Sequence, residues 1–414
     1  MTSTARATPV RSVTEIRSHF PALTRRERNV PVAYFDGPGG TQVPQPVVDA
    51  MVDYLYRHNA NTHWAYPSSH ETDALLEAAR QGFADFFHAD PGEIAFGLNM
   101  TTLTFHLARA LGRGWSAGDE VIVTELDHHG NVAPWQALAR ERGIVVRSLP
   151  LRVEDATLDL GGLRDLISER TRLIAVSAAS NAVGTVPDVA AACTMARQAG
   201  VLCFVDAVHA APHILLDVQA IGCDFLACSA YKFYGPHIGI LYGRKALLET
   251  LDVPKVAPAP DTAPERMETG TQNHEGIVGA LAAVDFLASL AEGESRRARL
   301  GAVYFELHRR NHVLLQRLWE GLSELKRVTL YGPRPDAPRT PTLGFTVKGM
   351  STETVAQRLA ERAVFVSHGD FYAQTVIERL GLAPDGLIRA GCACYTVAEE
   401  VDRLVAGVRE LTER

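Results

Sequence analysis

The strongest constraint on the fold is a rhythm in which short, wholly apolar runs alternate with helix-patterned stretches. "DEVIVTELD" (119–127) precedes "NVAPWQALARERG", and "RLIAVSAAS" (172–180) precedes "DVAAACTMARQAG", where Gly200 marks a helix stop; "VLCFVDAVHA" (201–210) and "CDFLACSA" (223–230) follow. A strand apolar on both faces must be covered on both, and intervening helices supply the cover while returning the chain to start the next strand in the same direction. The expectation is an α/β protein on a mainly parallel sheet. From about residue 275 the pattern becomes one long helical stretch, then a Pro-rich turn, "YGPRPDAPRTPT" (331–342). Strand-like "LGFTVKG", helix-like "TETVAQRLAER", strand-like "AVFVSHG" and a closing helix "AEEVDRLVAGVREL" complete the chain. This predicts a large domain over 31–275 and a smaller α+β domain from 276–414 with 1–30, joined through the linking helix.

In such sheets ligands bind beyond the carboxyl ends of the strands, so the residues that end each apolar run are the candidates for chemistry. Asp127 and His128 end the first run, Ser180 and Asn181 the second, Asp206 with His209 the third, and Ser229, Tyr231 and Lys232 the fourth. A lone strand-end lysine ordinarily reaches for water. In "LACSAYKFYGPHIGILYG" (226–243), however, Lys232 shares one sheet edge with a carboxylate, imidazoles and an amide, which is the inventory of a pyridoxal 5′-phosphate (PLP) site. On that reading a desolvated Lys232 is the Schiff-base amine and serves as acid and base. An ionised Asp206 keeps the cofactor's ring nitrogen protonated, and His128 offers a planar face to the ring. Thr101 and Thr102, in "GLNMTTLTFHLARALG", open a helix whose free N–H groups suit a phosphate, and Ser229 adds a hydroxyl. The plainer alternatives are Asp206 as a helix cap and the threonine pair as an ordinary N-cap.

Charge and composition narrow the partners. The 414 residues carry a net charge of −7 and no run of five basic residues, which argues against nucleic acid or an anionic membrane surface and for a small-molecule substrate. No eighteen apolar residues run together, and the opening segment, with Arg6, Arg11 and Arg17, lacks an apolar core behind its charges; a cytoplasmic protein is expected. Six scattered cysteines fit that compartment, and the C-x-C of Cys392 and Cys394 has no second metal-type pair, so no metal site is expected. "DGPGG" (36–40) lacks the spacing of a nucleotide loop.

"SAYKFYGP" (229–236), "FVDAVHA" (204–210), "ELDHHGNVAPW" (125–135), "SNAVGT" (180–185) and "METGTQN" (267–273) together resemble the motifs of fold type I, class V aminotransferase-like PLP enzymes. The chain is most similar to their cysteine desulfurase and selenocysteine lyase branch, over nearly its whole length. The resemblance implies Lys232 as the cofactor lysine and Asp206 as the ring-nitrogen partner. It puts His128 on the ring and Asn181 and His209 near the ring's 3-oxygen. Thr101, Thr102, Ser229 and Tyr231 would hold the phosphate, and Arg389 would take the substrate α-carboxylate. Thr271 would reach a neighbouring subunit's phosphate, implying a homodimer with shared sites. Two residues depart from the desulfurase pattern: His209 stands where those enzymes usually have Gln, and Tyr231 where they have His.

A third departure decides the expected reaction. Where desulfurases carry a thiolate on a mobile loop, "VFVSHGDFYAQ" (364–374) offers Tyr372 or a close neighbour. Thiolate-dependent desulfuration is therefore not expected, and Cys392 and Cys394 read as small residues packed in a strand beside Arg389. Proton removal at Cα and loss of a group at Cβ need no cysteine. The expected activity is that of a C–S lyase acting by β-elimination on an S-substituted L-cysteine, with Asn61 in "NANTHWAYPSSHETD" (59–73) on the substrate side. A decarboxylating oxidative deaminase, an aminotransferase or an epimerase would use the same residues.

Overall fold

The computed structural model describes residues 9–413. The first eight residues, part of the segment expected to join the small domain and including Arg6, lie outside it. The large sheet has seven strands: β1 (Ile94–Gly97), β2 (Glu120–Thr124), β3 (Val145–Leu149), β4 (Thr171–Ser177), β5 (Leu202–Asp206), β6 (Phe225–Ser229) and β7 (Gly239–Gly243). Their spatial order is β1-β7-β6-β5-β4-β2-β3. Only β7 runs against the others, pairing antiparallel with β6 and β1. The remaining pairs are parallel, so the expected α/β architecture is met.

Strand periodicity divides the core. Along β5, Cys203 and Val205 pack into one apolar layer and Phe204 into the other. Helices α1 (Pro67–Phe87), α2 (Met100–Gly112), α3 (Ala133–Arg142) and α4 (Val189–Gln198) connect and cover the strands. Gly143, at φ +72°, ends α3, and Gly200, at φ +70°, follows α4 as the sequence predicts. The single long helical stretch expected after 275 is instead two helices, α5 (His274–Ser289) and α6 (Arg296–Ser323). The polar "EGES" between them interrupts the apolar stripe, and the Ser295 hydroxyl accepts the Ala298 N–H to start α6 afresh.

Beyond α6, strands β8 (Val328–Tyr331), β9 (Thr342–Val347), β10 (Ser367–Gly369) and β11 (Leu387–Gly391) form an antiparallel sheet in the order β8-β9-β11-β10. With α6, α7 (Thr352–Ala360) and α8 (Ala398–Thr412) they enclose a third apolar core around Phe345, Ile388 and Leu404. The expected strand in "AVFVSHG" is split: Val364 and Phe365 pair with Ala33 and Tyr34, and β10 begins only at Ser367. Residues 9–30 touch both bodies. Ile16 and Phe20 lie in the core under the large sheet, while Arg17 pairs with Glu400 of α8. Among the described residues, no helix is long and apolar enough to cross a membrane.

Candidate active site

The carboxyl ends of β4, β5 and β6, the first turn of α2 and the loop after β2 enclose a cavity of about 100 Å3. His128, Asn181, Asp206, His209, Ser229, Tyr231, Lys232 and Thr101 all line it, so most of the expected residues share one space. The cavity opens into a vestibule of about 570 Å3 whose walls include Gly39, His129, Phe371, Tyr372 and Arg389.

Each group is placed by its local backbone. Asp206 is the last residue of β5, and its Oδ1 accepts the Val208 N–H at 2.9 Å. Burial lifts its carboxyl to about 7, against the pull of that hydrogen bond and of Lys232, with Asp127 adding to the rise. Lys232 ends the short turn after β6, and its Nζ donates to the carbonyls of Pro38 at 2.7 Å and Gly39 at 3.1 Å. Burial, reinforced by the Arg389 charge, draws the amine down to about 7, while Asp206 opposes the shift. The lysine is thus available as a neutral nucleophile near neutral pH. His128 accepts the Gly130 N–H on Nδ1 at 2.8 Å. Burial first, then the Lys232 charge, holds the ring down to about 4, so it is neutral and carries its proton on Nε2.

His209 is buried, its Nε2 bonded to the hydroxyls of Thr340 at 3.1 Å and Thr342 at 3.0 Å, and burial pushes its pKa well down. Asn181 donates to the Phe371 carbonyl at 2.9 Å and leaves its own Oδ1 buried without a partner. Arg389, on β11, is 3% exposed. It spends one N–H on the Asn181 carbonyl at 2.9 Å, lies 3.9 Å from the centre of the Phe371 ring, and keeps Nε unpartnered. Burial pulls its pKa to about 9, opposed by Asp36. At the start of α2, Ser229 accepts the Met100 N–H at 2.9 Å and Asn99 caps the Thr102 N–H at 2.9 Å. The Thr101 N–H and hydroxyl remain beside the cavity. Tyr231 stacks on His237 with ring centres 4.8 Å apart, and burial raises its hydroxyl.

Two expectations are corrected within the single chain. Thr102 does not line the cavity: it is exposed, and its hydroxyl donates to the Asn99 cap at 3.0 Å. Asn61 is also exposed and lies outside the cavity and the vestibule, its carbonyl accepting the Ser69 hydroxyl at 2.6 Å. Its neighbours Thr62 and His63 line a separate groove, which Thr271 shares. Asp127 ends an apolar run as the sequence predicts, but its tie to β4 and the contributions of Asp36 and Phe371 are not legible there. Asp127 is a buried carboxylate that accepts the Thr124 and Ser177 N–H groups and the Asn131 amide, tying the loop that carries His128 to β4. Asp36 is half-buried, with its Oδ1 buried and unpartnered. Phe371, at φ +57°, sits in the left-handed region with Tyr372, at φ +56°. "DGPGG" could have signalled the tight turn: a Cβ on Gly39 would meet the Asp36 carbonyl at 3.1 Å and the Arg389 guanidinium at 3.3 Å.

The Aminotransferase class-V family profile matches residues 33–404. The chain belongs to that family. Among curated proteins, a cysteine desulfurase of Pectobacterium carotovorum subsp. carotovorum is 33% identical over 416 residues, covering 96% of this chain and 98% of that protein. A cysteine desulfurase of Yersinia pestis is 34% identical over 415 residues, with the same coverage. Among solved structures, the apo cysteine desulfurase of Thermococcus onnurineus NA1 superposes with a TM-score of 0.89 at 29% identity, over 98% of this chain and 99% of that one. The Escherichia coli cysteine desulfurase CsdA gives 0.85 at 28%, with the same coverage. This class-V chain is therefore a PLP-dependent enzyme. Its residues fit the cofactor: a desolvated lysine, a buried carboxylate with no fixed cation, Thr101 of a helix N-terminus at the cavity, and orphaned polar atoms on Asn181 and Arg389.

Proposed function

We propose that this enzyme is a C–S lyase that eliminates a thiol from Cβ of an S-substituted L-cysteine, working in the cytoplasm as a homodimer in which Thr271 reaches the partner's phosphate site. The observation that carries this reading is the position of the sulfurs. All six cysteines are buried, and none lines the cavity or the vestibule. Burial pushes the Cys392 and Cys394 thiols up to about 12, far from the exposed, low-pKa state that a sulfur-accepting cysteine requires. Tyr372, 74% exposed, stands at the vestibule instead.

On this reading Thr101, Ser229 and the α2 N-terminus would hold the cofactor phosphate, Asp206 would face the ring nitrogen, His128 would cover a ring face, and Asn181 and His209 would flank the ring; all of these side chains line one cavity. Bound there, PLP supplies an electron sink for negative charge developing at Cα. Arg389 fixes the substrate carboxylate by its planar edge. Lys232, released from the Pro38 and Gly39 carbonyls, takes the Cα proton as a near-neutral amine and passes a proton to the departing thiolate. The balance is R–S–CH2–CH(NH3+)–COO− plus water giving R–SH, pyruvate and ammonium.

A second reading, cysteine desulfuration, draws support from the relatives, which carry that name at full-length identities of 33% and 34%. Mass spectrometry of products from the PLP-loaded protein with L-cysteine and bulky S-substituted L-cysteines separates the two. Free thiol with pyruvate and ammonia is expected. Alanine with sulfane sulfur from L-cysteine would favour the desulfurase. An intact C–S bond with a carbonyl product, carbon dioxide or an inverted Cα would move the function to a deaminase, aminotransferase or epimerase.

A further inference from the structure

A second, much smaller cavity lies between α6 and residues 339–341. Its volume is about 20 Å3, and its lining includes His213, His308, Asn311, His312, Arg339 and Thr340. His308, Asn311, His312 and Leu315 are spaced i, i+3, i+4 and i+7, one face of α6. Arg339 is 7% exposed. Its Nε donates to the Thr340 carbonyl at 3.4 Å, and its Nη2 donates to those of Val183 at 3.1 Å and Thr342 at 2.6 Å. Its Nη1 is buried with no partner, and so is Nδ1 of His213.

The cavity has no anionic side chain in its lining. Burial alone draws the Arg339 pKa down to about 10, with no acid near enough to oppose the fall. The centre of the Trp319 ring lies 5.3 Å from the guanidinium, but a buried cation without a counter-charge is still costly, and so is a buried N–H with no partner. One negative ion would relieve both. Size favours a small one: roughly 10–15 Å3 of such space admits a single water-sized particle, so a volume of about 20 Å3 suits a monoatomic ion better than phosphate or a carboxylate.

We propose that this cavity is a halide site, occupied by chloride, with Arg339 Nη1–H and His213 Nδ1–H as its donors. The site is connected to the catalytic cavity. Thr340 lines it, and the Thr340 hydroxyl bonds His209, whose ring also lies against that of His213 at a centre distance of 5.5 Å. Halide binding therefore fixes the orientation of a side chain that lines the Lys232 cavity.

Chloride NMR line broadening by the PLP-loaded protein tests the proposal. Chloride should broaden in excess of the background seen with unfolded protein, bromide should compete, and gluconate at equal ionic strength should not. Arg339→Gln removes the cation together with three backbone contacts, so Asn311→Leu is the more informative variant: it places an apolar branch in the cavity and leaves those contacts intact. The bromide-sensitive broadening should fall several-fold in Asn311→Leu while circular dichroism stays that of the wild type. Equal broadening in wild type and Asn311→Leu would place the ion elsewhere, as at Arg389, and overturn the proposal. Absence of any bromide-sensitive broadening in the wild type would do the same, leaving water in the cavity.

Discussion

Arg389→Lys isolates the value of a planar fork, because the substitution keeps the charge and removes the geometry. In the wild type one N–H is committed to the Asn181 carbonyl, the guanidinium lies against Phe371, and Nε remains free in a buried site. An ammonium offers a point contact and no flat face. One charge-assisted hydrogen bond lost from a bidentate pair is worth about 1.5–3 kcal/mol. The cation–aromatic contact adds roughly 0.5–1 kcal/mol. The sum, about 2–4 kcal/mol at ~1.4 kcal/mol per decade, lowers kcat/KM roughly 30- to 700-fold. Cofactor affinity should hardly change, since the proposed phosphate site lies at α2 and Ser229, in the large domain rather than on β11. Steady-state kinetics with an S-substituted cysteine, set beside a spectrophotometric PLP titration, gives both numbers. An unchanged kcat/KM, or a parallel loss of cofactor affinity, would refute the assignment of Arg389 to the substrate carboxylate.

Lys232→Ala should abolish the visible absorption band of the bound cofactor; a band that survives would show another lysine bonded to it. Changing Cys392 and Cys394 together to Ser should lower stability by about 1–3 kcal/mol per buried hydroxyl yet leave turnover intact, and a folded but inactive double variant would overturn the reading of them as packing residues. Asp206 has a folded pKa of about 7, above its ordinary 3.8, so its contribution to stability is complete below 3.8 and is lost as pH rises from there to about 7. In cofactor-free protein, Asp206→Asn should therefore raise Tm relative to wild type more at pH 8 than at pH 5, and a difference that does not depend on pH would contradict the burial of this carboxyl. Asp127→Ala strands the Thr124 and Ser177 N–H groups and should cost about 2–6 kcal/mol, at roughly 1–3 per unsatisfied group; chemical denaturation measures it, and a loss below that range would mean water replaces the carboxylate.

The parts of the site written as strand ends were legible. Asp206, Ser229 and Lys232 follow runs apolar on both faces, and a polar residue at the end of such a run has only the sheet edge to occupy. The direction of β7 was not, because "GILYG" is buried at every position and reads the same whichever way it runs. Thr101 and Thr102 look equivalent as letters, but one helical step of about 100° sets one beside the cavity and the other against Asn99. Phe371 was hidden for a different reason: its contact with Arg389 depends on two consecutive left-handed residues, a backbone state that aromatic residues do not advertise. Asn61 was read from composition alone, and composition does not say which way a segment faces.

The hydrogen bonds that close the site join Arg389 to Asn181 across 208 residues and Lys232 to Pro38 across 194. Closures over such separations come late, since the entropy of the intervening chain must be overcome before the contact forms. A chain still being synthesised can assemble much of the large sheet, but it lacks β11 and with it the guanidinium that completes the vestibule. A polypeptide cut short before Leu387 therefore has no complete vestibule, however well its first half folds. If Arg389 takes the substrate carboxylate as proposed, the ability to hold an amino acid by that group is acquired only once β11 has been made, so substrate-induced change in the visible spectrum counts chains that extend past Gly391.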